Sequence, residues 1–201
     1  MNYHFWIILV IAGLITAPPA LAADGAAKID RQLCSVCHGP GGTSSSELFP
    51  HLAGEPAPYI INQLKAFRDK SRADLNARRF MWGIAYRLSN ENIQQLAAFY
   101  ELQPAVHKGK ISDQSKYDSG KNIYLNGNPD RGVPACTACH GEKAEGKDAT
   151  PRLGGQNKEY LKRQLKGFSS IERPAAIAMH AIVKGLSDID IESIAEYLQA
   201  Q

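Results

Sequence analysis

Four cysteines and three methionines are all the sulfur this 201-residue chain carries. Sustained alternation of apolar and polar residues is missing, which removes the pattern of a half-buried strand. The motifs G-x-G-x-x-G, H-E-x-x-H and G-x-S-x-G are missing too. With them go the sequence marks of dinucleotide binding, zinc proteolysis and the serine-hydrolase elbow. A formal net charge of only +3 offers no basic surplus that would point to nucleic acid. The first 23 residues hold no Lys, Arg, Asp or Glu.

That uncharged start is informative. An apolar run from Phe5 to Ile15 is followed by Pro18-Pro19 and then Ala20-Leu21-Ala22. The order is that of a secretory leader ending in an A-x-A site, which predicts a signal peptide over 1–23, cut near Ala22 or Ala23. The run is too short to cross a bilayer, which takes about 20 apolar residues. Export predicts a mature protein in an oxidising compartment.

What remains is written twice. "FPHLAGEPAPYIINQLKAF" (49–67) lies over "TPRLGGQNKEYLKRQLKGF" (150–168). Pro50, Leu52, Gly54, Tyr59, Gln63, Leu64 and Phe67 match Pro151, Leu153, Gly155, Tyr160, Gln164, Leu165 and Phe168. Further on, Met81 meets Met179 and Leu88-Ser89 meets Leu186-Ser187. Internal duplication of this kind fixes the organisation of a chain. Two domains are expected, 24–103 and 114–201, joined by a linker over 104–113 that has a Pro, a Gly, three basic or potentially basic side chains and little apolar period. A domain that small buries little of its own apolar surface and needs help, which a large bound cofactor would supply.

The fold class expected is all-α. Apolar residues recur three and four apart in 58–69 and 158–168, and helices are read at 26–33 and 115–127 ahead of the cysteines. Ser89 and Ser187 read as N-caps of helices over 90–102 and 188–199. Asn92 and Asp190 stand where a strict capping box would have Glu or Gln.

All four cysteines fall in two C-x-x-C-H motifs, Cys34–Cys37–His38 and Cys136–Cys139–His140. That spacing is the mark of covalent c-type haem attachment. On one turn of chain two thiols reach the two vinyl groups of a porphyrin, and the adjacent histidine is carried beneath the iron. A thioredoxin-like pair would need a preceding strand, and none is patterned. A joint zinc site would hold its pairs about 15–20 residues apart, whereas these lie in different repeats. Two covalent haem c groups are therefore expected. Apart from Met1, the methionines are Met81 and Met179, at one repeat position. They are the candidates for the second axial ligand opposite His38 and His140, and thioether ligation raises the potential. His180 beside Met179 is a rival whose counterpart is Trp82, while His51 aligns with Arg152 and His107 falls in the linker.

A helix before C-x-x-C-H, a P-x-L-x-G segment, a methionine and a closing helix make both halves resemble class I cytochrome c domains. Two in tandem after a leader resemble the dihaem cytochrome c4 family, over nearly the whole mature chain. The resemblance implies that the carbonyls of Pro50 and Pro151 accept the second N–H of each axial histidine. It also implies a periplasmic electron carrier, soluble or loosely held at the membrane, between a cytochrome bc complex or other donor and a terminal oxidase. The alternative is the haem-bearing subunit of a periplasmic dehydrogenase, with a sulfide-oxidising flavoprotein or an alcohol dehydrogenase as partner. A dihaem peroxidase would need one iron with an open position, against which the matched methionines argue. The segment "RDKSRADLNARRF" (68–80) carries five Arg or Lys against two Asp. It reads either as a solvated loop or as a docking patch for an acidic partner, and it sets the surroundings of the first haem apart from those of the second.

Overall fold

A computed structural model describes residues 19–106, 109–170 and 172–201. Most of the leader, and His107, lie outside the described residues. Among the described residues there are helices and two isolated bridges, Asn128–Val133 and Lys147–Thr150, and no strand.

The first half runs α1 (Pro19–Ile29), a π-helical turn (Asp30–Cys34), α2 (Ser35–His38), α3 (Ala57–Arg68), a second π-helical turn (Ala77–Met81), α4 (Trp82–Tyr86) and α5 (Asn90–Glu101). The second half runs α6 (Gln114–Asn126), α7 (Thr137–His140), α8 (Lys158–Gly167), α9 (Ile177–Val183) and α10 (Asp188–Gln199). Periodicity located the long helices to within a residue or two, except that α1 begins earlier and flows into a π-helical turn. The methionine segments are more ordered than a loop: Met81 closes a π-helical turn and Met179 sits inside α9.

The closing helices start where their caps are. Ser89 Oγ accepts the Asn92 N–H at 3.0 Å, and Asn92 Oδ1 accepts the Ser89 N–H at 3.2 Å. Ser187 and Asp190 exchange the same two bonds, at 3.2 and 2.7 Å. Both are closed capping boxes, although Asn and Asp are one carbon shorter than the usual Gln and Glu. Behind the caps, α5 buries Ile93, Leu96 and Tyr100, and α10 buries Ile191, Ile194 and Leu198. In the second half Ile123, Tyr124 and Leu161 complete the core.

The connecting stretch is strapped to α10. The Gly109 N–H donates to the Gln199 carbonyl at 2.8 Å. The fully buried Glu196 carboxylate accepts from the Ser112 and Asp113 N–H groups and from Ser112 Oγ, and it pairs with the Lys158 ammonium. Burial opposes ionisation of Glu196, but the Lys158 ammonium and these donors outweigh it and hold its carboxyl down at about 2.

The two halves face each other through matched residues. Arg72 donates to Gln63 Oε1 at 2.7 Å and across to Gln164 Oε1 at 3.0 Å. Arg173 donates to Gln164 Oε1 at 2.6 Å and across to Gln63 Oε1 at 3.3 Å. Each guanidinium lies over the phenylalanine of its own half, 4.6 Å from the Phe67 ring centre and 4.4 Å from that of Phe168. The same patch meets itself, the arrangement of a two-fold dimer interface within one chain. Part of the basic segment is therefore neither solvated nor docking surface: Arg72 is buried at this junction and paired with Asp74 at 2.8 Å. The Ala73 N–H also crosses the junction, to the Glu172 carbonyl at 2.7 Å.

Candidate haem site

Each C-x-x-C-H motif folds as a single turn. Cys34 and Cys136 stand at the N-caps of α2 and α7, and His38 and His140 end them. Gly39 and Gly141 follow at φ 73° and 83°, a left-handed conformation that only glycine adopts without strain and that stops each turn. The motif cysteines are three residues apart and so share one face of the turn. None of the four thiols is in a disulfide. Burial pushes the Cys34 thiol up, and that of Cys136 to about 11, so neither is set up as a reactive thiolate.

The faces of both turns open into one cavity of about 1050 Å³. Cys34, Cys37, His38 and Met81 line its first-half part. Cys136, Cys139, His140 and Met179 line its second-half part. The four cysteines, the two motif histidines and both methionines thus border the same space, and the rival His180 does not. Among the described residues no three His, Cys, Asp or Glu side chains converge as a metal-binding group, so the two cysteine pairs do not form a joint four-sulfur site.

The histidines are held alike. His38 Nδ1 lies 2.9 Å from the Pro50 carbonyl, and His140 Nδ1 lies 3.0 Å from that of Pro151. Burial pushes both imidazoles below the usual histidine range, and the carbonyls only partly oppose this. A neutral imidazole that donates from Nδ1 keeps a lone pair on Nε2, the form a metal requires. His180 has no such freedom. Its Nδ1 lies 2.5 Å from the Phe168 carbonyl and its Nε2 lies 2.9 Å from that of Arg173. The Trp82 indole N–H makes the matching bond to the Arg72 carbonyl at 2.9 Å. Trp82 and His180, at one repeat position, thus each reach the carbonyl of the buried arginine of their own half. His51 accepts the Ser44 N–H at Nδ1, at 3.0 Å.

The cavity chemistry suits a porphyrin. Its lining is mostly apolar side chain, with Arg72 and Arg173 where the two parts meet. Arg173 is 8% exposed, and among the described residues no carboxylate lies within ion-pair distance of it. A buried cation without an anion is costly, and the carboxylates of a bound porphyrin would supply one. Sequence inspection missed Arg173 and the two glutamines. Gln63 and Gln164 did align, but a matched pair does not by itself announce that it meets across an interface.

The cytochrome c family model matches residues 22–101 and 117–201. The cytochrome c4 of Azotobacter vinelandii is 33% identical over 210 residues, covering 99% of each chain. The chain belongs to the cytochrome c4 family. The crystal structure of reduced cytochrome c4 from Pseudomonas stutzeri superposes with a TM-score of 0.79 at 30% identity, covering 89% of this chain and 97% of that one. A protein of Thiomonas intermedia called thiosulfate dehydrogenase electron acceptor is 31% identical over 200 residues, 96% of this chain and 89% of that one. As a dihaem cytochrome c4, the chain binds two covalent haem c groups. It is an electron-transfer protein and not an enzyme. Among the described residues no helix is long and apolar enough to cross a membrane.

Proposed function

We propose that this cytochrome c4 is an exported electron carrier of the periplasm, with Cys34 and Cys37 holding one haem and Cys136 and Cys139 the other. His38 and Met81 are the axial ligands of the first iron, and His140 and Met179 those of the second. Pro50 and Pro151 orient the histidines through the carbonyl contacts described above. The haem supplies a one-electron couple; the chain's own residues fix it, exclude water and tune it. Two domains, 24–103 and 114–201, meet so that both cofactors share one space. The single cavity bordered by both motifs and both methionines is the observation that carries this reading. Two haems held in that one space would suit electron transfer within the molecule.

Two donors are in view. One is a cytochrome bc complex, with a terminal oxidase as acceptor. The other is a periplasmic dehydrogenase of inorganic sulfur, favoured by the likeness to the Thiomonas protein named as an acceptor of thiosulfate dehydrogenase. Reduction of the purified cytochrome by thiosulfate dehydrogenase and thiosulfate, but not by a bc complex and quinol, would assign the sulfur route.

The ligand assignment is tested on the holoprotein. Intact mass should exceed that of the mature polypeptide by two haems. Met81→His and Met179→His should each lower the potential of one haem only, by a sizeable part of the roughly 0.8 V that axial ligands span. A titration in which either substitution leaves both potentials in place would remove that methionine from the iron.

A further inference from the structure

At the junction two matched side chains do one job with different chemistry. Gln156 reaches across to the backbone of His51. Its Oε1 accepts the His51 N–H at 2.8 Å, and its amide Nε2 donates to the His51 carbonyl at 3.0 Å. Glu55 stands at the repeat position of Gln156, and Arg152 at that of His51. Glu55 Oε2 accepts the Arg152 N–H at 3.0 Å, the first bond of the same clasp. A carboxylate has no hydrogen with which to make the second. A carboxylic acid has one, and is close to an amide in shape and in donor and acceptor count.

The surroundings of Glu55 favour the acid. The residue is 5% exposed. The groups that act on it are the Arg152 guanidinium across the junction and the Tyr59 hydroxyl on α3, with His51 bordering the same recess. The charge of Glu145 also falls on Arg152, so that guanidinium is not at the service of Glu55 alone. Burial outweighs Arg152 and pushes the carboxyl up to about 8. A recess of about 10 Å³, bordered by His51, Glu55, Val106, Arg152 and Gln156, is near the size of one water. Glu55 also borders the cavity that both C-x-x-C-H motifs line.

We propose that Glu55 is a redox-linked proton site, which takes up a proton when the cytochrome is reduced and releases it when the cytochrome is oxidised. The proposal rests on the two-haem carrier reading. One electron from a redox partner takes a haem iron from ferric to ferrous, and one proton from solvent forms an O–H bond on Glu55. Both steps reverse on oxidation. The coupling is electrostatic: reduction would remove a positive charge from the cavity that the buried Glu55 carboxyl borders, and in a medium of low dielectric this makes its ionised form harder to keep. Proton and electron affinities are then reciprocally linked. In the protonated state the O–H completes the clasp on Arg152, so reduction tightens the junction between the halves.

The test is a spectroelectrochemical titration of the holoprotein across the pH range around Glu55's own titration. Wild type should show a midpoint that falls as pH rises, by at most about 59 mV per tenfold change in proton activity for a one-electron couple. Glu55→Gln, which installs the arrangement the second half already uses, should remove that slope. The reduced-minus-oxidised infrared difference spectrum of wild type should contain a protonated-carboxyl band that Glu55→Gln lacks. A haem-replete wild type whose midpoints do not move with pH would overturn the proposal. So would a slope that survives in Glu55→Gln, since the proton would then belong to another group. If Glu55→Gln does not assemble, the infrared spectrum of wild type decides alone, and a spectrum without the band overturns the proposal. A protein that shows no c-type absorption at all would instead sink the carrier reading.

Discussion

The opening and closing helices cross differently in the two halves. In the second half α6 and α10 touch backbone to backbone: a Cβ built on Gly120 would lie 1.9 Å from the Ser193 carbonyl oxygen. In the first half the nearest atom to a Cβ on Gly25 of α1 is Gln95 Oε1 of α5, at 3.3 Å. One crossing has no room for any side chain, while the other keeps the end of a flexible one between its helices. One helix-pair motif thus serves two haem domains with unequal tolerance. The sharpest way to break the comparison is a matched pair of substitutions. Gly120→Ala should force α6 off α10 and cost about 3 kcal/mol or more. Gly25→Ala should be neutral or gain up to about 1 kcal/mol, since alanine is the better helix former and Gln95 can step aside. Thermal unfolding of the two holoproteins checks both, and equal losses would mean the crossings are alike after all.

The halves also respond to pH in opposite senses. Glu196 of the second half has a folded-state value near 2, below the 4.5 of an unperturbed glutamate. Its contribution to stability is complete above about pH 4.5 and is lost as pH falls towards 2. Glu55 of the first half has a folded-state value near 8 against the same 4.5. Its contribution is complete below about pH 4.5 and is lost as pH rises through 8. Acid should therefore first release the strap over 109–113, because protonating Glu196 weakens its hold on the Lys158 ammonium and on the Ser112 and Asp113 donors. Hydrogen exchange at the Ser112 and Asp113 amides should accelerate below pH 4.5, while the haem-bearing turns stay protected. Glu196→Gln should cost about 2 kcal/mol at neutral pH, the worth of hydrogen bonds to a charged group, and should flatten the acid limb. A full acid limb in that variant would place the labile carboxylate elsewhere.

Much of this was legible in one dimension, because the relevant contacts are local or repeated. C-x-x-C-H is one turn long, Pro50 and Pro151 follow their histidines at nearly constant spacing, and the helices declare themselves by period. What the residues could not announce was anything that crosses the junction. Arg72 read as one charge in a basic run; only its meeting with Gln63, Gln164 and Phe67 makes it part of an interface. A strict capping box has Glu or Gln at its third residue, yet Asn92 and Asp190 reach the cap N–H because it lies only one turn away. Glu196 gave no signal, since its partners come from the linker and from α8. The contrast of Glu55 with Gln156 was visible in the alignment but had no meaning until their opposite backbones were known.

The smallest expected effect concerns what is left of the basic segment. With Arg72 buried and Arg68 bonded to the Leu88 carbonyl at 3.1 Å and to Asn90 Oδ1 at 2.7 Å, the exposed remainder is Lys70, Arg78 and Arg79. Arg78 lies 3.7 Å from Glu172 of the other half, with both side chains largely in solvent. Such a pair contributes little to stability. The second half has no comparable charge in the matching stretch, "SSIERPAAIA" (169–178). If these arginines steer an acidic partner towards the first haem, their removal should change the encounter rate and nothing else. Arg78→Ala with Arg79→Ala should leave stability within about 0.5 kcal/mol of wild type. The double variant should be reduced a few-fold more slowly by an acidic donor at low salt and at the wild-type rate at high salt, where charges more than a Debye length apart no longer act on each other. Stopped-flow traces at two ionic strengths separate the cases. Identical rates at low salt would make the segment a solvated loop, and would leave the halves distinguished at their junction and not at their outer surface.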